Sequence, residues 1–357
     1  MQMLKKLISL AVLILFINTS LANFSDIAAN IASAQTPPKK VSVFLLDFTD
    51  DLISDIRKSL EDIQKENIGK VKYTFYDGKS DQTIQNKEIN KVLKEGATDL
   101  ILLNIVDRAY SKAVINRIKE YNIPVILFNR EPLTPEPIRS YSRALYIGTD
   151  GIQAGTLQGE MLVNAWNTSK RYIDKNGDGI MQYVMLEGEG DNAEAIQRTK
   201  YSVLTIEKAG IKVQQVALEI GNWHQNAAYN ITKSVELLFQ KYNELIEVII
   251  SNDDTMAIGA VKALHEYGYN KGDKLKTIPV VGVDVVPEAK ELIEKGFMLG
   301  SFYQDPRAYG DALYACGMNL INHENPVEGT KYTLDDTGVS IRLPQNDYFY
   351  KNIFAEQ

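Results

Sequence analysis

Apolar runs typical of buried strands alternate with amphipathic helical patterns along most of the chain. The first run covers residues 41–46, and apolar residues recur at helical spacing in the segment that follows. Further strands are predicted over residues 71–76, 100–103, 124–128 and 144–147, and helices over residues 81–93 and 108–121. Strands that alternate with helices in this way are typical of a parallel sheet covered by helices on both faces.

The alternation begins again after residue 150, which indicates a second unit of the same kind. Its predicted helices cover residues 153–166, 193–209, 225–241, 255–267 and 287–295. Its predicted strands cover residues 182–186, 213–218, 248–250, 279–283 and 298–302. A last helix over residues 307–321 precedes an irregular, strand-like C-terminus. The sequence therefore predicts the α/β class, with two doubly wound, Rossmann-like lobes whose parallel sheets are joined by several chain crossings.

The composition is that of a folded protein with a substantial core, since 45% of the 357 residues are hydrophobic and 24% are charged. The formal net charge is −7, and the basic residues are scattered rather than clustered. Nucleic-acid binding is therefore not expected. The single cysteine, Cys316, falls in a predicted helix. No disulfide can form within the chain, and we interpret this cysteine as a small buried apolar residue.

The N-terminal segment, residues 1–34, has the pattern of an export signal. Lys5 and Lys6 precede an apolar run over residues 7–17, and small-residue cleavage sites follow at residues 20–22 and 32–34. An uncleaved membrane anchor is the alternative, because the run approaches the length that spans a bilayer. We therefore expect an exported protein, located in the periplasm or at the extracellular face of the cytoplasmic membrane.

Residues 174–182 have the ligand spacing of an EF-hand calcium loop. Side-chain oxygens fall at alternate positions, and Gly179 stands where the backbone turns sharply. Met185 occupies the position where an EF-hand has its bidentate Glu, so a carboxylate must come from elsewhere. The predicted calcium ligands are Asp174, Asn176, Asp178, Ile180, Gln182 and the remote Glu247. Ile180 contributes its backbone carbonyl, and the others contribute side-chain oxygens. A surface turn without a metal is the alternative.

Polar and aromatic residues follow the ends of several predicted strands, where ligands bind in open parallel sheets. Planar carboxylate, amide and guanidinium groups can bridge neighbouring sugar hydroxyls, and an indole ring can cover the apolar face of a pyranose. The sequence therefore suggests a sugar-binding cleft, although most of these positions are also common for helix caps and turns. The residues beyond the strand ends are Asp50, Asn104, the segment 191–198, Trp223, Asp253, Asp284 and Gln304.

Two rival functions have weaker support. Residues 188–193 match a loose G-x-G-x-x-A dinucleotide fingerprint, but Glu187, Glu189 and Asp191 would repel a pyrophosphate. Paired carboxylates could hydrolyse a glycoside, yet none of the three histidines has a recognisable catalytic partner. We therefore expect neither a nucleotide-binding protein nor an enzyme.

These residues together resemble the bacterial periplasmic glucose/galactose-binding proteins, within the type I periplasmic binding protein superfamily. The calcium loop and the block Gly282-Val-Asp284 are the most specific landmarks. The other landmarks are residues 57–58, 104–107, 128–132, 148–150, 198–199, 246–248 and 252–257, together with Trp223. The resemblance implies two lobes joined by three crossovers, a calcium ion held by the loop and a remote Glu that matches Glu247, and closure over one monosaccharide. The first lobe is expected to span residues 36–147 plus about 305–335, and the second residues 148–304 plus about 336–357.

The resemblance also implies which residues contact the sugar. Five positions match the family pattern, namely Asp50, Asn104, Arg198, Trp223 and Asp284. Five positions depart from it. Leu52 stands in place of a stacking Phe, Asn192 of a His, Glu194 of an Asp, and Asp253 and Gln304 each of an Asn.

The departures bear on the ligand. Glu194 and Gln304 each reach one methylene further, which favours a smaller ligand such as a pentose. Asp253 adds a carboxylate near Asp284 with Arg198 as the obvious counterion, which favours an amino sugar or a raised pKa on one acid. Glucose or galactose stays the leading expectation.

The predicted function is delivery of the monosaccharide to a membrane ABC transporter by a monomeric binding protein. The alternative is a sensor that presents its liganded form to a membrane chemoreceptor or histidine kinase. Both functions use the same ligand-driven closure of the lobes.

Overall fold

The computed structural model describes residues 37–242, 246–344 and 348–354. The predicted export segment, residues 1–34, lies outside the described residues. The strands in chain order are β1 (Lys39–Leu45), β2 (Val71–Asp77), β3 (Leu100–Leu103), β4 (Val125–Phe128), β5 (Ala144–Thr149), β6 (Ile180–Glu187), β7 (Lys212–Ile220), β8 (Val248–Ser251), β9 (Val280–Asp284), β10 (Gly300–Tyr303), β11 (Ser340–Leu343) and β12 (Tyr348–Tyr350). The helices are α1 (Asp51–Glu66), α2 (Gln82–Glu95), α3 (Ser111–Lys119), α4 (Glu136–Arg139), α5 (Gly151–Ile173), α6 (Ala193–Lys208), α7 (Gln225–Tyr242), α8 (Asp254–Glu266), α9 (Pro287–Glu294) and α10 (Pro306–Ile321).

The described strands form two sheets, one in each lobe. The first sheet has the order β11-β5-β4-β3-β1-β2, and its strand pairs are parallel. The second has the order β12-β10-β9-β8-β6-β7 and is parallel except for the antiparallel pair β10 and β12. Strands β3, β4 and β8 are buried along their whole length because helices cover both faces, which explains their continuous apolar sequences.

The chain crosses between the lobes three times, after Thr149, after Tyr303 and after Leu343. After the second crossing, α10 returns to the first lobe and packs Tyr309 and Cys316 against the apolar face of α1. The expectation that Cys316 is a buried apolar residue is thus confirmed.

The expected lobe boundary near residue 336 is wrong. Strand β11 pairs in parallel with β5, and its side chains Ile341 and Leu343 are buried in the first lobe's core. The return to the second sheet therefore comes after Leu343 rather than before it. Gly148 and Thr149 likewise belong to β5 of the first sheet instead of beginning the second lobe.

Local differences from the predicted elements are small. The helix predicted over residues 108–121 is a 3-10 turn at Arg108–Tyr110 followed by α3. Helix α5 continues to Ile173 through a polar stretch, with a non-helical residue at Ser169, and buries Ile173 at its end. Among the described residues, no helix is long and apolar enough to cross a membrane.

Candidate functional site

A cavity of about 520 Å³ lies between the two lobes at the carboxyl ends of both sheets. Every predicted sugar ligand except Asn104 lines it. These lining residues are Asp50, Leu52, Asn192, Glu194, Arg198, Trp223, Asp253, Asp284 and Gln304. The strand-end rule therefore locates the cleft, because carboxyl ends of parallel strands bring residues from distant parts of the chain to one edge.

Asn104 is fully buried behind the cavity. Its Oδ1 accepts a hydrogen bond from the Leu46 amide at 3.0 Å, and its Nδ2 donates to the Phe128 carbonyl at 3.2 Å. The same amide donates to Asn129 Oδ1 at 3.0 Å. Asn104 therefore holds the ends of β1, β3 and β4 together in this structure and does not line the cavity.

Three lining residues begin helices with a side-chain cap. Asp50 Oδ1 accepts from the Ile53 amide at 2.9 Å, and Asp253 Oδ1 accepts from the Met256 amide at 2.8 Å. Asn192 caps α6 in the same manner. A cap uses one side-chain oxygen, so each carboxylate keeps its second oxygen for a ligand. Capping and ligand binding are compatible roles at these positions.

Arg198 is the cation at the base of the cavity and its side chain is 2% exposed. Its Nη1 donates to the Asn252 carbonyl at 2.7 Å, and its Nη2 donates to Glu194 Oε1 at 2.6 Å. Among the described residues, Arg198 Nε has no hydrogen-bond partner. A buried donor without a partner is costly, so this nitrogen is suited to a ligand oxygen.

Glu194 and Gln304 reach the crossing between the lobes. The Thr149 hydroxyl, at the end of β5, contacts the Glu194 carboxylate and lies 3.0 Å from Gln304 Oε1. Gln304 Nε2 in turn donates to Asp284 Oδ1 at 2.5 Å. Glu194 and Gln304 thus connect Thr149 of the first sheet with Arg198 and Asp284 of the second lobe through one network of hydrogen bonds.

Trp223 lies against the glycine-rich turn that resembled a dinucleotide fingerprint. A Cβ atom on Gly188 would come within 2.2 Å of the indole ring, and Trp223 itself has a positive φ of 65°. Gly188 is therefore required by the close approach of Trp223. The glycines of this turn have a packing reason that needs no phosphate.

An ion cluster that the sequence reasoning missed bridges the rim of the cleft. Arg130, just after β4, donates to Glu189 Oε1 at 2.7 Å, and Arg108 Nε lies 3.5 Å from Glu189 Oε2. Arg108 also donates to the Asp191 carboxylate and carbonyl. Burial raises the pKa of Glu189, but Arg130 and Arg108 outweigh it and hold this pKa below its usual value. Arg130 and Glu189 line the cavity and directly follow strands, so the strand-end rule, applied to every residue, would have found them.

A family model described as a periplasmic binding protein domain matches residues 41–325. The chain belongs to this family. The expected resemblance and the α/β two-lobe fold class are both confirmed. The family consists of binding proteins rather than enzymes, in agreement with the expectation from the sequence.

Curated relatives of this periplasmic binding protein cover nearly all of its length. The D-galactose/methyl-galactoside binding periplasmic protein MglB of Haemophilus influenzae is 34% identical over 316 residues, 88% of this chain and 92% of that protein. A putative rhizopine-binding protein of Rhizobium meliloti is 25% identical over 302 residues, 83% of this chain and 89% of that protein.

Solved structures of similar fold include an ABC transporter solute-binding protein from Bacillus halodurans with bound myo-inositol. Its TM-score is 0.67 at 20% identity, over 87% of this chain and 95% of that chain. A Mycobacterium smegmatis structure in complex with beta-D-fucofuranose has a TM-score of 0.70 at 20% identity, over 87% of this chain and 91% of that chain. At this identity the likeness shows the fold alone.

Several carboxylates in or beside the cavity of this binding protein have raised pKa values. Burial raises the pKa of Asp253 to about 7 and the pKa of its neighbour Asp254 to about 8. Burial also raises the pKa of Asp50, and it raises the pKa of Asp284 well above its usual value although Arg198 opposes the change. One arginine therefore does not compensate the buried negative charge.

The predicted calcium ligands of the loop between α5 and β6 are linked by hydrogen bonds to one another and to neighbouring backbone amides. Glu247 is fully buried beneath it and accepts hydrogen bonds from the Lys175 amide at 2.6 Å and the Gln182 amide at 3.3 Å. Asn176 Nδ2 and Gln182 Nε2 each lie 2.9 Å from Asp178 Oδ2. Burial raises the pKa of Glu247 to about 7, and the negative charge of Asp174 adds to it.

Two oxygens of this loop have no partner. Within the described part of the chain, the buried atoms Asp174 Oδ1 and Gln182 Oε1 accept no hydrogen bond. Buried oxygens without donors are rare in folded proteins and call for water or a cation. A metal site built only from Asp, Glu, His and Cys side chains needs at least three of them close together. No such group occurs here or elsewhere in the described residues. A cation at this loop therefore requires the amide and backbone oxygens as well as the carboxylates, and the donor set fits calcium.

Proposed function

We propose that this exported protein binds one monosaccharide in the cavity between its lobes and delivers it to a membrane ABC transporter. The observation that carries the proposal is the cavity itself, which is lined by planar polar groups and an indole ring from both lobes. Relatives named for galactose and rhizopine support a sugar or polyol ligand. The similar Bacillus halodurans protein with bound myo-inositol is an ABC transporter solute-binding protein, which supports the transporter partner.

Binding and closure are coupled through residues from both lobes. Asp50 approaches the ligand from the first lobe, and Arg198, Asp253 and Asp284 approach it from the second. Sugar hydroxyls would donate to the free carboxylate oxygens and accept from Arg198 Nε, while Trp223 covers an apolar face. A ligand that contacts both lobes at once stabilises the closed form, which the membrane partner then recognises.

Transport is the function that the similar proteins favour over sensing. Their names describe binding and solute-binding proteins, and none describes a receptor or kinase partner. We propose a monomer because the cavity is complete within one chain.

Calcium is part of the proposal. Asp174, Asn176, Asp178, Gln182 and Glu247 would hold it together with the Ile180 carbonyl. Bound calcium would coordinate the unpartnered oxygens of Asp174 and Gln182, and its positive charge would compensate the negative charge of the buried Glu247 carboxylate. The loop would then fasten the end of α5 to the start of β8, which stabilises the second lobe without contacting the sugar.

Calorimetric titration of the protein with hexoses, pentoses and cyclic polyols tests the proposed function. The expected result is saturable binding of one ligand per chain, lost in Arg198→Met and kept in Lys200→Met, an exposed residue of the same helix. Folded protein that binds no sugar or polyol in the panel would contradict the proposal.

A further inference from the structure

The cavity carries more negative charge than its cations can pair. Arg198 is held by Glu194 and by the Asn252 carbonyl. Arg130 is held by Glu189 and by the carbonyls of Ile105 and Val106. Five lining carboxylates, those of Asp47, Asp50, Asp51, Asp253 and Asp284, make no ion pair among the described residues. Helix N-termini contribute only about half a positive charge each, so the starts of α1 and α8 do not balance them.

Two of these carboxylates line the cleft from opposite lobes. Asp50 stands between β1 and α1 in the first lobe, and Asp253 stands between β8 and α8 in the second. The negative charges of Asp50 and Asp51 both act on Asp253. In both Asp50 and Asp253, Oδ1 accepts the hydrogen bond that caps the following helix. Closure of an empty cleft therefore either brings two like charges together or requires one carboxylate to take up a proton, unless something positive lies between them.

A small organic molecule fits this place better than a metal ion. In the described residues, no three acidic, histidine or cysteine side chains converge as metal ligands. The cavity of about 520 Å³ has room for a small organic molecule. The unpartnered Arg198 Nε also requires an acceptor oxygen, which a sugar hydroxyl provides and a metal ion does not.

We propose that the ligand is a cationic sugar or cyclic polyol with one ammonium group, held between Asp50 and Asp253, with its hydroxyls at Arg198 and Asp284. This inference rests on the proposed function and names the chemical class of its ligand. The ammonium bridges the two lobes and replaces the repulsion between them with attraction. Burial raises the pKa values of both carboxylates in the empty cavity, and an adjacent cation lowers them again.

Matched pairs of sugars that differ only in an amino group test the proposal. The probes are glucosamine and glucose, galactosamine and galactose, and an amino-inositol with myo-inositol, each titrated calorimetrically at neutral pH. At least one amino compound is expected to bind about tenfold tighter or more than its hydroxyl counterpart, since one ion pair in a partly buried site is worth that much. N-acetylglucosamine, which has the nitrogen but no charge, should lose the advantage.

Two variants locate the ammonium. Asp253→Asn and Asp50→Asn keep a capping oxygen, so both are expected to fold, and each should reduce the preference for the amino compound about tenfold. Asp81→Asn, which removes a charge from an exposed cap outside the cavity, should leave the preference unchanged. If Asp253→Asn fails to fold, Asp50→Asn alone decides.

The outcomes separate this inference from the function on which it rests. Equal or tighter binding of the neutral sugars by the unaltered protein would overturn the cationic ligand and leave sugar binding in place. A preference for amino compounds that survives both variants would overturn the assigned position between the lobes. Folded protein that binds no compound of either kind would overturn both proposals.

Discussion

The predicted calcium loop and the interlobe cavity are both oxygen-rich and both hold buried carboxylates, but they are assembled differently. The loop takes its predicted ligands from nine consecutive residues and Glu247, and hydrogen bonds from the Lys175 amide to Glu247 and from the side-chain amides of Asn176 and Gln182 to Asp178 already link them. The cavity takes its ligands from turns that span Asp50 to Gln304 and from two lobes. We therefore expect a cation at the loop to act on stability, and occupancy of the cavity to act on the relative position of the lobes.

The largest expected effect comes from removing Arg198. Its side chain is 2% exposed and pairs with Glu194, so Arg198→Met leaves a buried carboxylate without its partner. We expect a loss of about 3–5 kcal/mol in the free energy of unfolding, together with loss of sugar binding. Lys200→Met on the same helix should change stability by less than about 0.5 kcal/mol. Urea unfolding curves measure both variants, and equal stability of the two would contradict the role given to Arg198.

Removal of calcium should affect stability but leave the cavity intact. With the metal about a thousandfold above its dissociation constant, binding to the folded chain stabilises it by about 4 kcal/mol. We expect chelation to lower Tm, and Asp178→Ala to abolish the difference between chelated and calcium-loaded protein. Differential scanning calorimetry checks this. A metal-stripped and reloaded sample with the same Tm in both states would contradict the calcium proposal.

The pH dependence of the free energy of unfolding measures the effect of the buried Asp253 carboxylate. Between pH 3.8 and about 7 the folded chain keeps a proton on Asp253 that the unfolded chain has released. The folded state then binds more protons, so raising the pH through this window destabilises it. The ligand-free protein should therefore lose about 2–4 kcal/mol relative to Asp253→Asn across the window. Parallel pH profiles for the two proteins would show that Asp253 is not buried with a raised pKa.

The smallest expected effect concerns the missing aromatic cover. Leu52 is 9% exposed, lines the cavity and also packs in the first lobe's core. Leu52→Phe adds a ring beside the ligand, and such a contact contributes about 0.5–1.5 kcal/mol beyond burial. We expect affinity for a pyranose to rise about threefold, measured by titration, with little change in Tm. Weaker binding would mean that the cavity is too narrow at this position.

Most of the secondary structure could be predicted because buried strands such as β3 and β4 are short, continuous apolar runs between clear helices. The partner of β11 could not be predicted, because a four-residue strand finds its place only against β5, almost two hundred residues earlier. The calcium loop, which was predicted from local spacing alone, stays a prediction. The lobe to which residues 336–343 belong could not be predicted, because it depends on tertiary packing.

The same contrast holds within the cavity. Asp50 and Asp253 were predictable as cavity residues because each lies between the end of a strand and the start of a helix. Asn104 also follows a strand, yet its side chain turns inward to the Leu46 amide and the Phe128 carbonyl. The direction of a side chain at a strand end, and pairs such as Arg130 with Glu189, depend on contacts between distant segments that spacing does not encode.

Fluorescence of Trp223 tests most directly whether the ligand binds in the cavity between the lobes. The chain has two tryptophans, of which Trp166 is buried in the second lobe's core and Trp223 lines the cavity. In Trp166→Phe, emission therefore reports on the cavity alone. We predict a saturable change in Trp223 emission at one ligand per chain, with the same midpoint as the heat of binding. A ligand that releases heat while Trp223 emission stays constant would place the binding site elsewhere and contradict binding in the cavity.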